Sequence, residues 1–512
     1  MGAKTARTTG SVRRLGAAGS AAVALGGWAV GTLPAHDPWG LWVSHGPAVR
    51  AAGYALSYGG LTVLVVAWWL YGRAGASVRD TLTTLGWWAA PMVLAPPLYS
   101  ADVYSYIAQG VMVLEGHDVY SVGPSALDPD GPGGDAAASV GGHWTDTPAP
   151  YGPFFLLLAR GVAWATGGTL VPAVLGMRLI ALGSLVLIVW ALRNLAREHG
   201  RSESAALWLG ALNPLLLIHV VGGAHNDGLM TGLMLAGVLL ALRGRWILGS
   251  AVIGLAMMVK SPAAVALLFV GVVVGRAAAG PAVRRVAKGL LAPGLVAGAV
   301  VVGATVLGGT GFGWIGTQSV AGRIHTALSL SSDLGLGLGE LLRLLAGTDP
   351  GPVKSAVQNL GLLIALALIA RLAWHATTGR TRPVPALGLA LLALVALSPM
   401  VQPWYLLWAT AVIAATADGG RALGAVTVLS AALVYETQPS GSTPPYGFVL
   451  AALVCVAGVL LLRREGAGGP GTQRRAPAEA APEADTGTGT SNGTCTSTGP
   501  VGAEAPETPR AR

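Results

Sequence analysis

The sequence predicts an all-α, polytopic helical membrane protein, and three observations predict it. Only 11% of the 512 residues are charged and 53% are hydrophobic, against roughly a quarter charged in an ordinary soluble domain. Mean hydropathy is +0.60. Apolar runs recur along nearly the whole chain, with Arg gathered in the short stretches between them. A water-soluble chain must cover its surface with polar groups, so this patterning excludes that class. The net charge of +9 then reads as membrane orientation rather than nucleic-acid binding. Cys455 lies in an apolar run and Cys495 in a polar tail, which argues against a disulfide framework or a thiolate metal site.

The first run, residues 15–33, follows Arg7, Arg13 and Arg14. A basic start and Pro34-Ala35 beyond it have the form of a signal peptide, but the run is long for one, so a retained signal-anchor helix is expected. Further runs lie at 53–71, 82–98, 170–192, 204–221, 228–242, 246–259, 262–275, 289–308, 355–375, 385–399, 403–417, 421–437 and 447–463. They give about 14 spans, or 12–14 with the short ones in question, since a bilayer normally asks for ~20 residues. The pairs 246–275 and 385–417 read as two short helices or as re-entrant hairpins. Both readings return the chain to the side it left.

Sidedness follows from the cations. With the N-terminus inside, the loops carrying Arg73/Arg79, Arg193/Arg197/Arg201, Arg243/Arg245, Arg276/Arg284/Arg285/Lys288, Arg380/Arg382, Arg421 and Arg463/Arg464 all fall inside. The stretch 101–150 falls outside. It has no Lys or Arg but carries Asp102, Glu115, Asp118, Asp128, Asp130, Asp135 and Asp146. Parity holds only if residues 151–167 lie on or dip into the outer face. Both termini are then cytoplasmic. The stretch from about Gly466, rich in Ala, Gly, Pro, Thr and Glu without an aromatic residue, reads as a disordered cytoplasmic tail.

Four features converge on the outer side. After the third run, Tyr99, Asp102, Tyr106 and Gln109 recur at three- and four-residue spacing, which puts them on one face of an interfacial helix, with Val103, Ile107 and Val111 elsewhere. A carboxylate among tyrosines suits a sugar; the bland alternative is an aromatic belt with an exposed Asp. The second is Gly222-Gly223-Ala224-His225-Asn226-Asp227-Gly228. There Asn226 or Asp227 could simply cap the next helix, two ligands are too few for a metal, and hydrogen bonds to substrate hydroxyls are the preferred reading. The third is Lys260, alone of Lys4, Lys260, Lys288 and Lys354 in being set within a long apolar stretch. An ammonium there needs a partner, for which a lipid phosphate is the natural candidate and headgroup snorkelling the alternative. The fourth is Ser398-Pro399-Met400-Val401-Gln402-Pro403-Trp404-Tyr405, where two prolines break the helix as lining of a cavity allows. The outer loop 309–353 adds Trp314, Gln318, Arg323, His325 and Asp333. Arg323 is a candidate second phosphate contact, because a guanidinium matches phosphate with two prongs.

With these residues assembled, a resemblance is visible. Asp102-Val103-Tyr104-Ser105-Tyr106, Tyr151-Gly152-Pro153, Asn213-Pro214 with His225-Asn226-Asp227, and Gln402-Pro403-Trp404-Tyr405 resemble the actinobacterial polyprenol-phosphomannose-dependent α-1,6-mannosyltransferases of the GT-C class. The similarity covers roughly residues 50–460. It implies one transmembrane glycosyltransferase domain over 1–465, with an outer-face interfacial segment at about 99–168 and the tail 466–512 outside it. It implies transfer of mannose from polyprenyl phosphate-mannose to a growing mannan or lipomannan core through an α-1,6 bond, with inversion, at the extracytoplasmic face of the plasma membrane. Asp102 would be the general base, with Asp118 in Gly116-His117-Asp118-Val119-Tyr120-Ser121 as rival. Lys260 and Arg323 would meet the donor phosphate. Tyr104, Tyr106, Gln109, Tyr151, His225, Asn226, Asp227, His325, Gln402, Trp404 and Tyr405 would contact sugar or acceptor. No cofactor or metal is called for, since a monophosphate can leave beside cations. The sequence departs from the pattern in lacking an adjacent Asp-Asp pair. The competing readings are transfer of another sugar, arabinose or glucose, from the same lipid carrier, and a transporter or lipid flippase built on the two broken pairs.

Overall fold

The computed structural model describes residues 2–417 and 419–464. The predicted tail from 466 lies outside the described residues. Of the described residues 74% are helical and none lies in a strand, as a polytopic membrane chain requires when no water is at hand for backbone groups.

A first group is α1 (Gly2–Val30), α2 (Pro47–Tyr71) and α3 (Val78–Leu94). Helices α1 and α2 approach closely because small residues face each other: a methyl on Gly26 would stand 2.6 Å from the Gly53 carbonyl oxygen. Ser77 starts α3 by accepting the Asp80 N–H at 3.1 Å. A cap follows, made of α4 (Asp102–Glu115), α5 (Gly134–Ser139) and α6 (Pro153–Thr166), with α5 and α6 packed on α4.

The central group is α7 (Leu170–Glu198), α8 (Glu203–Gly210), α9 (Pro214–Leu216), α10 (Asp227–Leu242), α11 (Trp246–Met257), α12 (Ala264–Ala277) and α13 (Ala282–Gly308). Helix α9 runs on as a π-helical turn over Leu217–Gly222, a form that collects at functional sites. Buried Asn213 holds the 49° bend before it. Its Oδ1 accepts from Leu215 N–H at 2.9 Å and its Nδ2 donates to the Leu209 carbonyl and to Ser430 Oγ at 2.8 Å. Trp68 and Trp208 tie α2 to α8: each indole N–H donates to the other's carbonyl, at 3.0 and 2.8 Å.

The chain continues through α14 (Trp314–Thr317), α15 (Val320–Arg323), α16 (Leu330–Ala346), α17 (Pro350–Thr377), α18 (Pro383–Leu397), α19 (Leu406–Thr416), α20 (Arg421–Ala432) and α21 (Pro445–Arg464). Helix α16 lies within the stretch 309–353, for which the sequence predicts an outer loop. Its Gly335 and Gly339 lie against α17, where a methyl would stand 2.8 Å from Lys354 Cα and 2.9 Å from Pro350 Cα.

Every predicted apolar run falls on a helix. Among the described residues, 5 helices can cross a membrane by length and composition, or 6 if the bent α8–α9 pair is one span. These are α2, α7, α13, α17 and α21; several others, α10–α12 and α18–α20 among them, are shorter apolar helices. Leu295, Val306, Leu363 and Leu453 are more than 60% exposed on α13, α17 and α21, as surfaces meant for lipid are. Residues 153–166 form a helix of 14 residues, about 21 Å long at 1.5 Å per residue and too short for a span.

Candidate functional site

Breaks in the α-helices gather at one end of the bundle, at 95–101, 223–226, 258–263 and 398–405. Prolines at 96, 97, 262, 399 and 403 break the helices there. The Arg-bearing turns at 193–201 and 243–245 join the opposite helix ends and are paired among themselves, Arg193 and Arg197 with Glu203 and Arg243 with Glu198.

The breaks enclose a cavity of about 400 Å³, within the size of ligand pockets, ~300–1,000 Å³. Of the predicted residues, Asp102, Tyr151, Lys260, Gln402, Trp404 and Tyr405 line it. Trp144, Ser261, Gln318 and Trp408 line it too, and Ser261 Oγ donates to Gln318 Oε1 at 2.7 Å.

Asp102 is the first residue of α4, and its side chain is 22% exposed. An anion is favoured there by the helix N-terminus. Its Oδ2 lies 3.3 Å from His225 Nδ1 and 3.4 Å from the Tyr106 hydroxyl, which donates to it. Burial works to raise the carboxyl, but contact with His225 and the charge of Lys260 outweigh it, so Asp102 sits below the usual carboxylate value.

Lys260 does not wait for a lipid. Its Nζ donates to Asp227 Oδ2 at 2.8 Å, and Trp408 Nε1 donates to Oδ1 of the same carboxylate at 2.8 Å. The ammonium also stands 4.7 Å from the centre of the Tyr405 ring, a cation–π distance. Burial disfavours its charge, and Asp227 more than compensates, so Lys260 is held above the ordinary lysine value. Tyr405 and Trp408 stack at 4.3 Å.

The segment His225-Asn226-Asp227 stands behind the wall rather than in it. All three are at least 97% buried: His225 backs Asp102, Asp227 backs Lys260, and the Asn226 N–H points to the Tyr106 hydroxyl at 3.5 Å. Both polar atoms of the Asn226 side chain, and Gln109 Oε1, have no protein partner. Trp404 covers His225 with ring centres 4.0 Å apart and His219 at 4.8 Å. His219, which the sequence reading passed over, is fully buried, with neither ring nitrogen bonded.

Helix α4 corrects an expectation. It is buried on both the polar and the apolar face, Val103 and Ile107 as fully as Tyr106, because α5, α6 and α7 close over it. Tyr99 precedes the helix, with φ +63°, rather than sharing its face. Tyr104 turns away from the cavity and donates to the Thr32 carbonyl at 2.6 Å. Asp118 is exposed and caps its own loop, accepting from Tyr120 N–H at 3.1 Å and from Ser121 Oγ. Arg323 and His325 are exposed outside the cavity lining, Arg323 donating to Ser319 Oγ at 3.3 Å and His325 paired with Asp333 at 2.7 Å. Among the described residues, no group of three or more His, Cys, Asp and Glu is placed to hold a metal ion.

Known proteins resemble the chain over most of its length. Residues 13–276 match the family described as "Alpha-(1->6)-mannopyranosyltransferase, N-terminal domain", and residues 331–464 match "MptB C-terminal domain". The "Probable alpha-(1->6)-mannopyranosyltransferase" of Mycolicibacterium smegmatis is 34% identical over 92% of this chain and 90% of its own. An alpha-(1->6)-mannopyranosyltransferase of Mycobacterium tuberculosis is 35% identical over 79% of this chain and 78% of its own. Alpha-(1->6)-mannopyranosyltransferase B of Corynebacterium glutamicum is 32% identical over 86% and 78%. No solved structure matches.

Proposed function

The chain belongs to the alpha-(1->6)-mannopyranosyltransferase family, and from that premise we propose that it transfers mannose from polyprenyl phosphate-mannose to a growing mannan or lipomannan core, with inversion and with Asp102 as base. The observation that carries this reading is a single cavity lined by a partly open carboxylate, Asp102, and an ammonium, Lys260, with aromatic walls of Tyr151, Trp404 and Tyr405.

In the proposed step the acceptor 6-hydroxyl gives its proton to Asp102 as its oxygen forms a bond to the anomeric carbon. The bond from that carbon to the phosphate oxygen breaks, and its electron pair leaves with the lipid phosphate. Lys260 stabilises that charge, while Asp227 and Trp408 keep its position. A carboxylate held below its ordinary value is ionised at neutral pH and ready to accept a proton, provided it lies within hydrogen-bond reach of the hydroxyl. The side chains of Gln402 and Gln318 offer amides to sugar hydroxyls. The basic turns at the opposite helix ends support placing the cavity at the extracytoplasmic face of the plasma membrane.

Donor competition tests the reading. Purified protein supplied with labelled polyprenyl phosphate-mannose and polyprenyl phosphate-arabinose should incorporate mannose alone into an α-1,6-mannan acceptor. Incorporation of arabinose without mannose sinks the donor assignment.

A further inference from the structure

Asp102 and His225 are 123 positions apart in sequence, yet the turns that carry them meet at one side chain. Arg178, about two turns into α7, is 2% exposed. Its Nη1 donates to the Val93 carbonyl at 2.7 Å and to the Ala95 carbonyl. Its Nη2 donates to the Pro96 carbonyl at 2.9 Å and to the Gly222 carbonyl at 3.1 Å. Three of these belong to the stretch that leads into Asp102, and the fourth closes the π-helical turn that leads into His225. Among the described residues no carboxylate pairs with it. A charge placed so deep in an apolar helix without an acid partner needs a reason.

The same two turns hold the only non-glycine residues with positive φ among those described, Tyr99 at +63° and Ala224 at +53°. Such conformations persist only where the surroundings over-determine them, and they gather at working sites. Here one precedes Asp102 by three residues and the other immediately precedes His225. The turns also touch directly, the Leu98 N–H donating to the Gly222 carbonyl at 3.3 Å. A methyl on Gly223 would stand 2.9 Å from the Leu98 oxygen.

We propose that Arg178 is a positioning residue, whose planar guanidinium bolts the turn before Asp102 to the turn before His225 and so sets their 3.3 Å contact. A planar fork with fixed donor directions can bridge four carbonyls, and a lysine ammonium at the same place cannot. The consequence for transfer rests on the reading of Asp102 as base.

The test uses the full chain in lipid nanodiscs, with Arg178→Lys, Arg178→Lys/Ala224→Gly and Asp102→Asn. In Arg178→Lys, backbone hydrogen exchange should rise together over 93–102 and 218–227 while 398–405 keeps its protection. Its kcat should fall about tenfold or more with the donor KM within about twofold, as a misplaced catalytic group predicts. Glycine tolerates positive φ without strain, so Ala224→Gly in that background should restore part of kcat. Unchanged exchange in both segments, a wild-type kcat, or no recovery with Ala224→Gly each overturns the proposal. Should Arg178→Lys not fold, Ala224→Val carries the test, because a β-branched residue opposes φ +53° with Arg178 in place. It should lower kcat about tenfold at unchanged KM, and a wild-type kcat overturns the idea. If Asp102→Asn retains full transfer, the base assignment fails, and the exchange result still decides what Arg178 does.

Discussion

Lys260, which lines the cavity, and Asp227 behind it form an ion pair 2.8 Å apart, with side chains 15% and 1% exposed. They sit at the same end because α10 and α11 are an antiparallel hairpin: Asp227 begins one helix and Lys260 follows the end of the other. Removing one partner leaves the other charge buried and unpaired. Lys260→Ala should therefore cost about 3–5 kcal/mol of stability as well as transfer. The double variant Lys260→Met/Asp227→Leu should recover most of that stability and none of the transfer. Thermal unfolding of the two variants side by side checks this, and equal stability of Lys260→Ala and wild type would contradict it.

The pH dependence follows from what surrounds Asp102. Burial raises its carboxyl, while His225, Lys260 and Ser100 lower it, and the net direction is down from the ordinary 3.8. Tyr106, Tyr151, Tyr405 and His219 also feel the charge of this carboxylate. A depressed carboxyl contributes stability that is present above its unfolded value and is lost only as pH falls through the folded value. The acid limb of kcat/KM should accordingly lie below the usual carboxylate range. In His225→Gln, burial loses its main opponent, and the limb should move up in pH. A limb that stays in place in this variant would contradict the pairing.

Asp118 and Arg323 supply the controls. Asp118 bonds only within its own exposed loop, so Asp118→Asn should keep transfer within about twofold and cost at most ~1 kcal/mol, the scale of losing a surface cap. Arg323 is exposed and bonded to Ser319, so Arg323→Ala should leave the donor KM within about twofold, as surface changes away from a site do. A tenfold rise in that KM would return Arg323 to the phosphate.

Trp404 is the lid over the two histidines. At 5% exposure and 4.0 Å from His225, its truncation to Ala should cost about 3–5 kcal/mol. Trp404→Phe should keep most of that stability. Urea or thermal unfolding of both variants decides; a Trp404→Ala protein as stable as wild type would mean the ring is not packed as described.

The helices were legible because apolar runs of this length leave few alternatives. The longest helix without a predicted run, α16, is masked by Gly335, Gly337 and Gly339, which read as loop, while Gly335 and Gly339 let it touch α17. The cavity was legible where a chemistry-bearing residue sat at a helix break: Asp102, Lys260, Gln402, Trp404 and Tyr405. Trp408 was not, since a tryptophan one turn into an apolar helix looks like any core residue. The sequence points Lys260 to a lipid phosphate, whereas the hairpin of α10 and α11 brings it to Asp227. The contact of Asp102 with His225 had no local signal at all; it depends on Arg178 and on two turns far apart in the chain.

If Asp102 takes the proton of the acceptor hydroxyl, its conversion to the amide removes the base and little else. Asp102→Asn keeps the size of the side chain and its place at the start of α4. Purified in nanodiscs with polyprenyl phosphate-mannose and an α-1,6-mannan acceptor, it should stay folded, losing only the modest stability that the depressed carboxyl contributes, while transferring mannose about 10²–10⁴-fold more slowly, the scale of losing a general base. Transfer at the wild-type rate by the folded variant would mean that a group other than Asp102 takes the proton.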